Sequence, residues 1–190
     1  MNKEKELIDK LIDLAFSEDI GDGDHTTLSC IPATAMGKSK LLIKETGVLA
    51  GVEVAKEIFH RFDPTMKVEV FINDGTEVKP GDVVMIVEGK VQSLLQTERL
   101  MLNVMQRMSG IATMTRKYAQ KLVGTNTHVL DTRKTTPGMR ILEKMAVKIG
   151  GGVNHRIGLF DMILLKDNHV DFAGGIDKAI TRAKEYCKEK

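Results

Sequence analysis

A chain of 190 residues with 42% hydrophobic side chains has the material for one large or two small buried cores. Its 28 basic and 26 acidic residues nearly cancel to a formal charge of +2, which sets aside nucleic acid and charged membrane surfaces as expected partners. No apolar run approaches the roughly 20 residues needed to span a bilayer, and Cys30 and Cys187 have neither metal-site spacing nor a disulfide framework, so both read as ordinary thiols.

The N-terminus interleaves charges with Leu and Ile instead of forming the uninterrupted apolar segment of a secretory signal, and a cytoplasmic protein is expected. Leu7, Ile8, Leu11, Ile12, Leu14 and Ala15 recur at helical spacing and predict an amphipathic helix over 4–17. Residues 18–27 are dense in Asp and Gly and predict a loop. Strands are then expected over 40–44, 66–72 and 83–88, with a helix over 52–62, which makes a small α+β domain. A long helix over 92–123 follows as a bridge, with Leu95, Leu102, Met105, Met108, Ala112 and Ala119 as its apolar face and Gly110 as a bend. Met101, Met105 and Met108 fall on one stripe of it, read as a subunit interface. Beyond it come a strand over 128–131, a loop, a helix over 140–149, a glycine turn at Gly150-Gly151-Gly152, a strand over 162–165, a loop, and a helix over 176–186. This βαβα order is that of a parallel sheet or barrel. A closed eight-fold barrel takes roughly 250 residues, so this chain alone does not close one.

In parallel α/β folds the working groups lie at the carboxyl ends of strands, where the loops converge. The first predicted strand runs into Thr132-Arg133-Lys134, the second into Lys166-Asp167-Asn168-His169, and Asn154-His155-Arg156 lies between them. Any one cation after a strand is ordinarily a solvated loop charge, and a lone His155 is ordinarily a hydrogen-bonded loop histidine. Five basic side chains in matching positions, Arg133, Lys134, His155, Arg156 and Lys166, call instead for a ligand with several negative charges, because like charges repel in a partly desolvated cleft. Arginine forks suit carboxylate or phosphate and lysines act as point charges, so the expected ligands carry both kinds of anion.

Gln96-Thr97-Glu98-Arg99 with Gln106-Arg107-Met108-Ser109-Gly110, then Asp131-Thr132-Arg133-Lys134-Thr135-Thr136-Pro137-Gly138, then Gly151-Gly152-Val153-Asn154-His155-Arg156, then Leu165-Lys166-Asp167-Asn168-His169, resemble the quinolinate phosphoribosyltransferases, along essentially the whole chain. The resemblance implies an α/β protein with an N-terminal open α/β sandwich domain, here 1–110 with the start of the bridge helix, followed over 111–190 by the first part of an incomplete TIM-like α/β barrel. It implies transfer of phosphoribose from phosphoribosyl pyrophosphate to quinolinate with decarboxylation, giving nicotinate mononucleotide, pyrophosphate and carbon dioxide in NAD biosynthesis.

Carried over by position, Arg133, His155, Arg156 and Lys166 would hold the quinolinate carboxylates. Lys134 and Thr132 would line the phosphate side, and Arg99 would be lent across a homodimer. Lys134, Lys166 and His155 are the residues nearest the chemistry on this reading. Mg²⁺ would arrive with the phosphoribosyl pyrophosphate, its acidic partners lying on further strands that the chain lacks, so the chain is expected to be C-terminally truncated and inactive alone. Two other readings compete. One is a sister phosphoribosyltransferase associated with molybdenum transport. The other is a biotinyl or lipoyl carrier module, because residues 74–90 resemble the half-barrel that presents an attachment lysine, here Lys90.

Overall fold

Helix α1, Lys3–Asp19, forms where the apolar spacing predicts it and seats Ile12 in the core. It lies along α3, Val52–Phe62. Phe16 meets Phe62 with ring centroids 5.1 Å apart, and the Arg61 guanidinium donates to both Asp13 carboxylate oxygens at 2.7 and 2.6 Å. The exposed ion pair adds little, so the aromatic and aliphatic contact carries this junction. The structure, a computed structural model, describes residues 3–189.

The predicted loop over 18–27 is only half a loop, since helix α2, His25–Cys30, begins inside it. The Asp24 carboxylate accepts the Thr27 N–H at 3.0 Å and so satisfies an amide that a first helical turn leaves without a partner. Strand β1, Met36–Leu42, pairs antiparallel with β5, Val83–Lys90, and β3, Lys67–Val70, pairs antiparallel with the other edge of β5. A separate two-residue ladder joins β2, Gly47–Val48, to β4, Glu77–Val78. As the central strand, β5 buries Val84, Met85 and Val87. Lys90 pairs with Met36 and leads directly into the next helix, so it is not the tip of a hairpin and the carrier-module expectation fails here.

That helix, α4, Val91–Gln120, is continuous through Gly110, because the intrahelical ladder needs no side chain there. At 1.5 Å per residue its 30 residues run about 45 Å. Its buried seam is Leu94, Thr97, Met101, Val104, Met105, Met108, Ala112 and Thr115, steps of three and four that keep one face inward. The predicted face shares Met105, Met108 and Ala112 with this seam but also took in Leu95, which is exposed, and Met101, Met105 and Met108 belong to this unit's own core and not to a subunit interface. Gly51, at φ 102°, lets α3 start against α4, where an added Cβ would lie 3.3 Å from the Met105 backbone.

Two polar links fix the α4 seam. The Asp63 carboxylate, at the end of α3, accepts the Ser93 hydroxyl at 2.8 Å, the Thr65 hydroxyl at 2.6 Å and the Thr65 N–H at 3.0 Å. These donors, led by the Thr65 and Ser93 hydroxyls, hold its carboxyl below the usual carboxylate range. A depressed folded pKa contributes stability that is whole above the unfolded value of about 3.9 and is lost as the pH falls through the folded value. Asp63→Asn is therefore expected to cost about 1–3 kcal/mol near neutral pH by turning an amide toward one of these donors, and denaturant titrations should show wild type and variant converging below about pH 4. Further along, Thr113 Oγ1 accepts the buried Val48 N–H at 2.8 Å. Thr113→Val leaves that donor unpartnered and is expected to cost about 1–3 kcal/mol by urea unfolding, with the m-value unchanged.

After α4 the chain reaches Leu130, which makes an isolated parallel bridge to Val153 where a strand over 128–131 was expected. Helix α5, Arg140–Ile149, lies in between with the predicted ends and packs Leu142 and Ala146 inward, Ala146 in the shared core with α4. Gly150 permits this approach: an added Cβ would stand 2.5 Å from the Ala112 carbonyl oxygen.

The chain separates into two compact units, one through His155 and one from Arg156. The second contains α6, Asp167–Ala173, and α7, Ile176–Lys188. Residues 162–165 form no strand, and the Met162 carbonyl instead accepts from Arg156 Nη1 at 3.1 Å. A parallel strand exists only with a neighbour to receive its amides, and this unit holds none among the described residues. Residues 167–173, expected as loop, are helical because the His169 ring nitrogen Nδ1 accepts the Lys166 N–H at 3.0 Å and caps the first turn. Among the described residues no helix is long and apolar enough to cross a membrane.

Candidate active site

The loop that leaves the Leu130 bridge is shaped by its own hydroxyls. Thr132 Oγ1 accepts the Lys134 N–H at 3.1 Å, a local turn that ends extended pairing. Two arginines hold the loop from different helices. Arg140 on α5 donates Nε to Thr135 Oγ1 at 3.1 Å and Nη2 to the Arg133 carbonyl at 3.5 Å. Arg107 on α4 donates Nη2 to Thr136 Oγ1 at 2.7 Å and to Glu143 at 2.6 Å. Sequence reasoning assigned neither arginine a role, although both stand inside or beside the quoted motifs.

Arg133, so held, has a buried Nε with no acceptor, and no carboxylate lies within ion-pair distance of it among the described residues. A buried cationic donor without an acceptor costs on the order of 1–3 kcal/mol or more, a cost that native structures accept mainly where a ligand completes the site. Lys134 is exposed on the same loop and Thr132 lies beside it.

His155 reaches this loop through Asp131. Its backbone N–H donates to Asp131 Oδ1 at 2.8 Å, and its carbonyl accepts from Lys144 Nζ at 3.0 Å. Lys144 and Asp131 are themselves an ion pair of 2.5 Å, with side chains only 3% and 6% exposed. The Asn154 amide, turned so that nitrogen faces its two acceptor neighbours, donates to Asp131 Oδ2 and the Lys144 carbonyl, each at 2.9 Å. Thr132, Arg133, Lys134 and His155 are thus joined within one unit. The Arg99 side chain, exposed on α4, makes no hydrogen bond or ion pair among the described residues. Arg156 and Lys166 belong to the second unit, where Lys166 stands exposed at the start of α6.

Grooves of about 300 and 600 Å³ run along α4 beside β1 and β2, and neither includes the loop at 132–136. Both mix aliphatic side chains with lysines, Lys38 and Lys40 in the smaller and Lys44 and Lys117 in the larger, and neither is lined by Arg133, Lys134 or His155. Among the described residues no group of three or more His, Cys, Asp or Glu is placed to hold a metal ion.

Two family models match the chain. The N-terminal domain of quinolinate phosphoribosyl transferase matches residues 24–109 and its C-terminal domain matches residues 111–190. A Nicotiana tabacum protein named quinolinate phosphoribosyltransferase [decarboxylating] 1b is 47% identical over 94% of this chain and 51% of its own length. A rice protein named nicotinate-nucleotide pyrophosphorylase [carboxylating], chloroplastic, is 47% identical over 95% of this chain and 48% of its own. The crystal structure of NadC from Streptococcus pyogenes superposes with a TM-score of 0.90 at 42% identity, covering 95% of this chain and 64% of that one. The chain spans about half the length of the curated relatives it matches. With both domain models matched in order and the fold reproduced at this identity, the chain belongs to the quinolinate phosphoribosyltransferase family.

Proposed function

We propose that the protein containing this chain transfers the phosphoribosyl group of phosphoribosyl pyrophosphate to the ring nitrogen of quinolinate and releases the adjacent carboxylate as carbon dioxide, forming nicotinate mononucleotide and pyrophosphate. The observation that carries this reading is Arg133, whose buried Nε has no acceptor among the described residues, on a loop with Lys134 and tied to His155. A dicarboxylate supplies the missing acceptors in the planar, paired geometry that a guanidinium prefers.

On this reading Arg133, His155, Arg156 and Lys166 bind the two carboxylates and aim the ring nitrogen at the anomeric carbon, so that binding energy is used for orientation. Lys134, with Thr132 beside it, lies against the departing pyrophosphate and stabilises its growing charge, and the sugar carries oxocarbenium character in the transition state. Once the ring nitrogen is alkylated, its positive charge stabilises the electron pair left on the adjacent ring carbon as carbon dioxide departs, and a proton from water then completes that carbon's C–H bond. Mg²⁺ is assigned to the phosphoribosyl pyrophosphate as part of that substrate, and no step is routed through a protein-bound metal. Arg99, exposed on α4, is proposed to serve the site of a second copy in a homodimer. The test is an assay of the intact protein with quinolinate and phosphoribosyl pyrophosphate. Equimolar nicotinate mononucleotide and carbon dioxide are expected, and formation of neither contradicts the proposal.

A further inference from the structure

A buried ion pair is a poor stabiliser. Removing two charges from water costs about as much as their attraction returns, and apolar replacements of similar volume are often neutral or better. Asp131 and Lys144 are nonetheless buried together, and what they hold is specific. The carboxylate takes the N–H of His155 and the ammonium takes its carbonyl, so the two peptide groups flanking one Cα are fixed by opposite charges. Asn154 completes the set through the second carboxylate oxygen. In sequence, Asp131 directly precedes Thr132, Arg133 and Lys134, and the bonded segments are 24 positions apart. A neutral pair would leave one or both of these bonds weaker and the spacing between the two segments free to drift.

We infer that Asp131 and Lys144 are positioning residues that set the place of His155 relative to Arg133 for binding a vicinal pyridine dicarboxylate. The inference rests on the proposed function for its ligand. The pair touches no substrate and acts through the His155 backbone. Its effect is therefore on quinolinate and not on the phosphoribosyl donor, which is assigned to Lys134 and Thr132.

The test uses the intact protein carrying Asp131→Asn together with Lys144→Met, a nearly isosteric neutral pair that retains an acceptor for the His155 N–H and leaves no lone buried charge. Quinolinate affinity by calorimetry is expected to fall about tenfold or more, with affinity for phosphoribosyl pyrophosphate and the melting temperature held. Hydrogen exchange by mass spectrometry over peptides spanning 153–157 is expected to quicken. Unchanged quinolinate affinity, or an equal loss for both ligands, overturns the positioning role. If wild type itself fails to bind quinolinate, the proposed function fails separately, and unchanged exchange at 153–157 would then overturn the clamp on its own.

Discussion

Lys144→Met alone is expected to cost about 3–5 kcal/mol of folding free energy, the largest loss foreseen for any single substitution in the first unit. The variant deletes the ammonium and leaves the Asp131 carboxylate buried without its ion-pair partner, with only the neutral His155 N–H and Asn154 amide donating to it. Adding Asp131→Asn should restore most of the loss, because the remaining groups are neutral and can still share hydrogen bonds. Urea denaturation of the two single variants and the double variant gives the coupling energy by a double-mutant cycle. A loss below about 1 kcal/mol for Lys144→Met would mean that water or a shifted backbone reaches the pair, and the site would not be dry as described.

The second large effect is on turnover. Lys134→Met is expected to lower kcat by about 10²–10³-fold while leaving quinolinate affinity within a few-fold of wild type, since one donor to developing charge in a transition state is worth that much. Among the described residues the Lys134 ammonium has no carboxylate partner, so the substitution leaves no protein group stranded. Single-turnover kinetics at saturating substrates separates this loss from a binding defect. A loss confined to KM would assign Lys134 to ground-state binding alone.

Helices α3 and α5 could be read from the chain to the residue because their apolar spacing is regular and Gly51 and Gly150 mark where it starts or stops. The inward face of α4 was harder to read. It includes Thr97 and Thr115, whose hydroxyls turn back to the Ser93 and Ile111 carbonyls at 2.8 Å and so enter the core with their polarity satisfied. Hydropathy counts such residues as solvent-facing, so the predicted stripe left both threonines out and took in Leu95.

At the site, the motifs gave the identities of Thr132, Arg133, Lys134 and His155 but not the device that joins them. Lys144 lies mid-helix at a spacing that suits a solvated charge, and only the fold brings it to Asp131, 13 positions away. The strand over 162–165 failed for a related reason. An apolar run reveals what it would bury, yet pairing depends on a neighbour that this unit does not supply.

The Arg133 guanidinium, with no carboxylate partner among the described residues, is completed by a carboxylate of the ligand. Calorimetric titration of quinolinate into the intact protein and into its Arg133→Ala variant tests this most directly. The account predicts that the variant binds about ten- to a hundredfold more weakly, as loss of charge-assisted hydrogen bonds requires, with folding stability equal to or above wild type because a buried unpartnered donor has been removed. Equal affinity in the two proteins would contradict it.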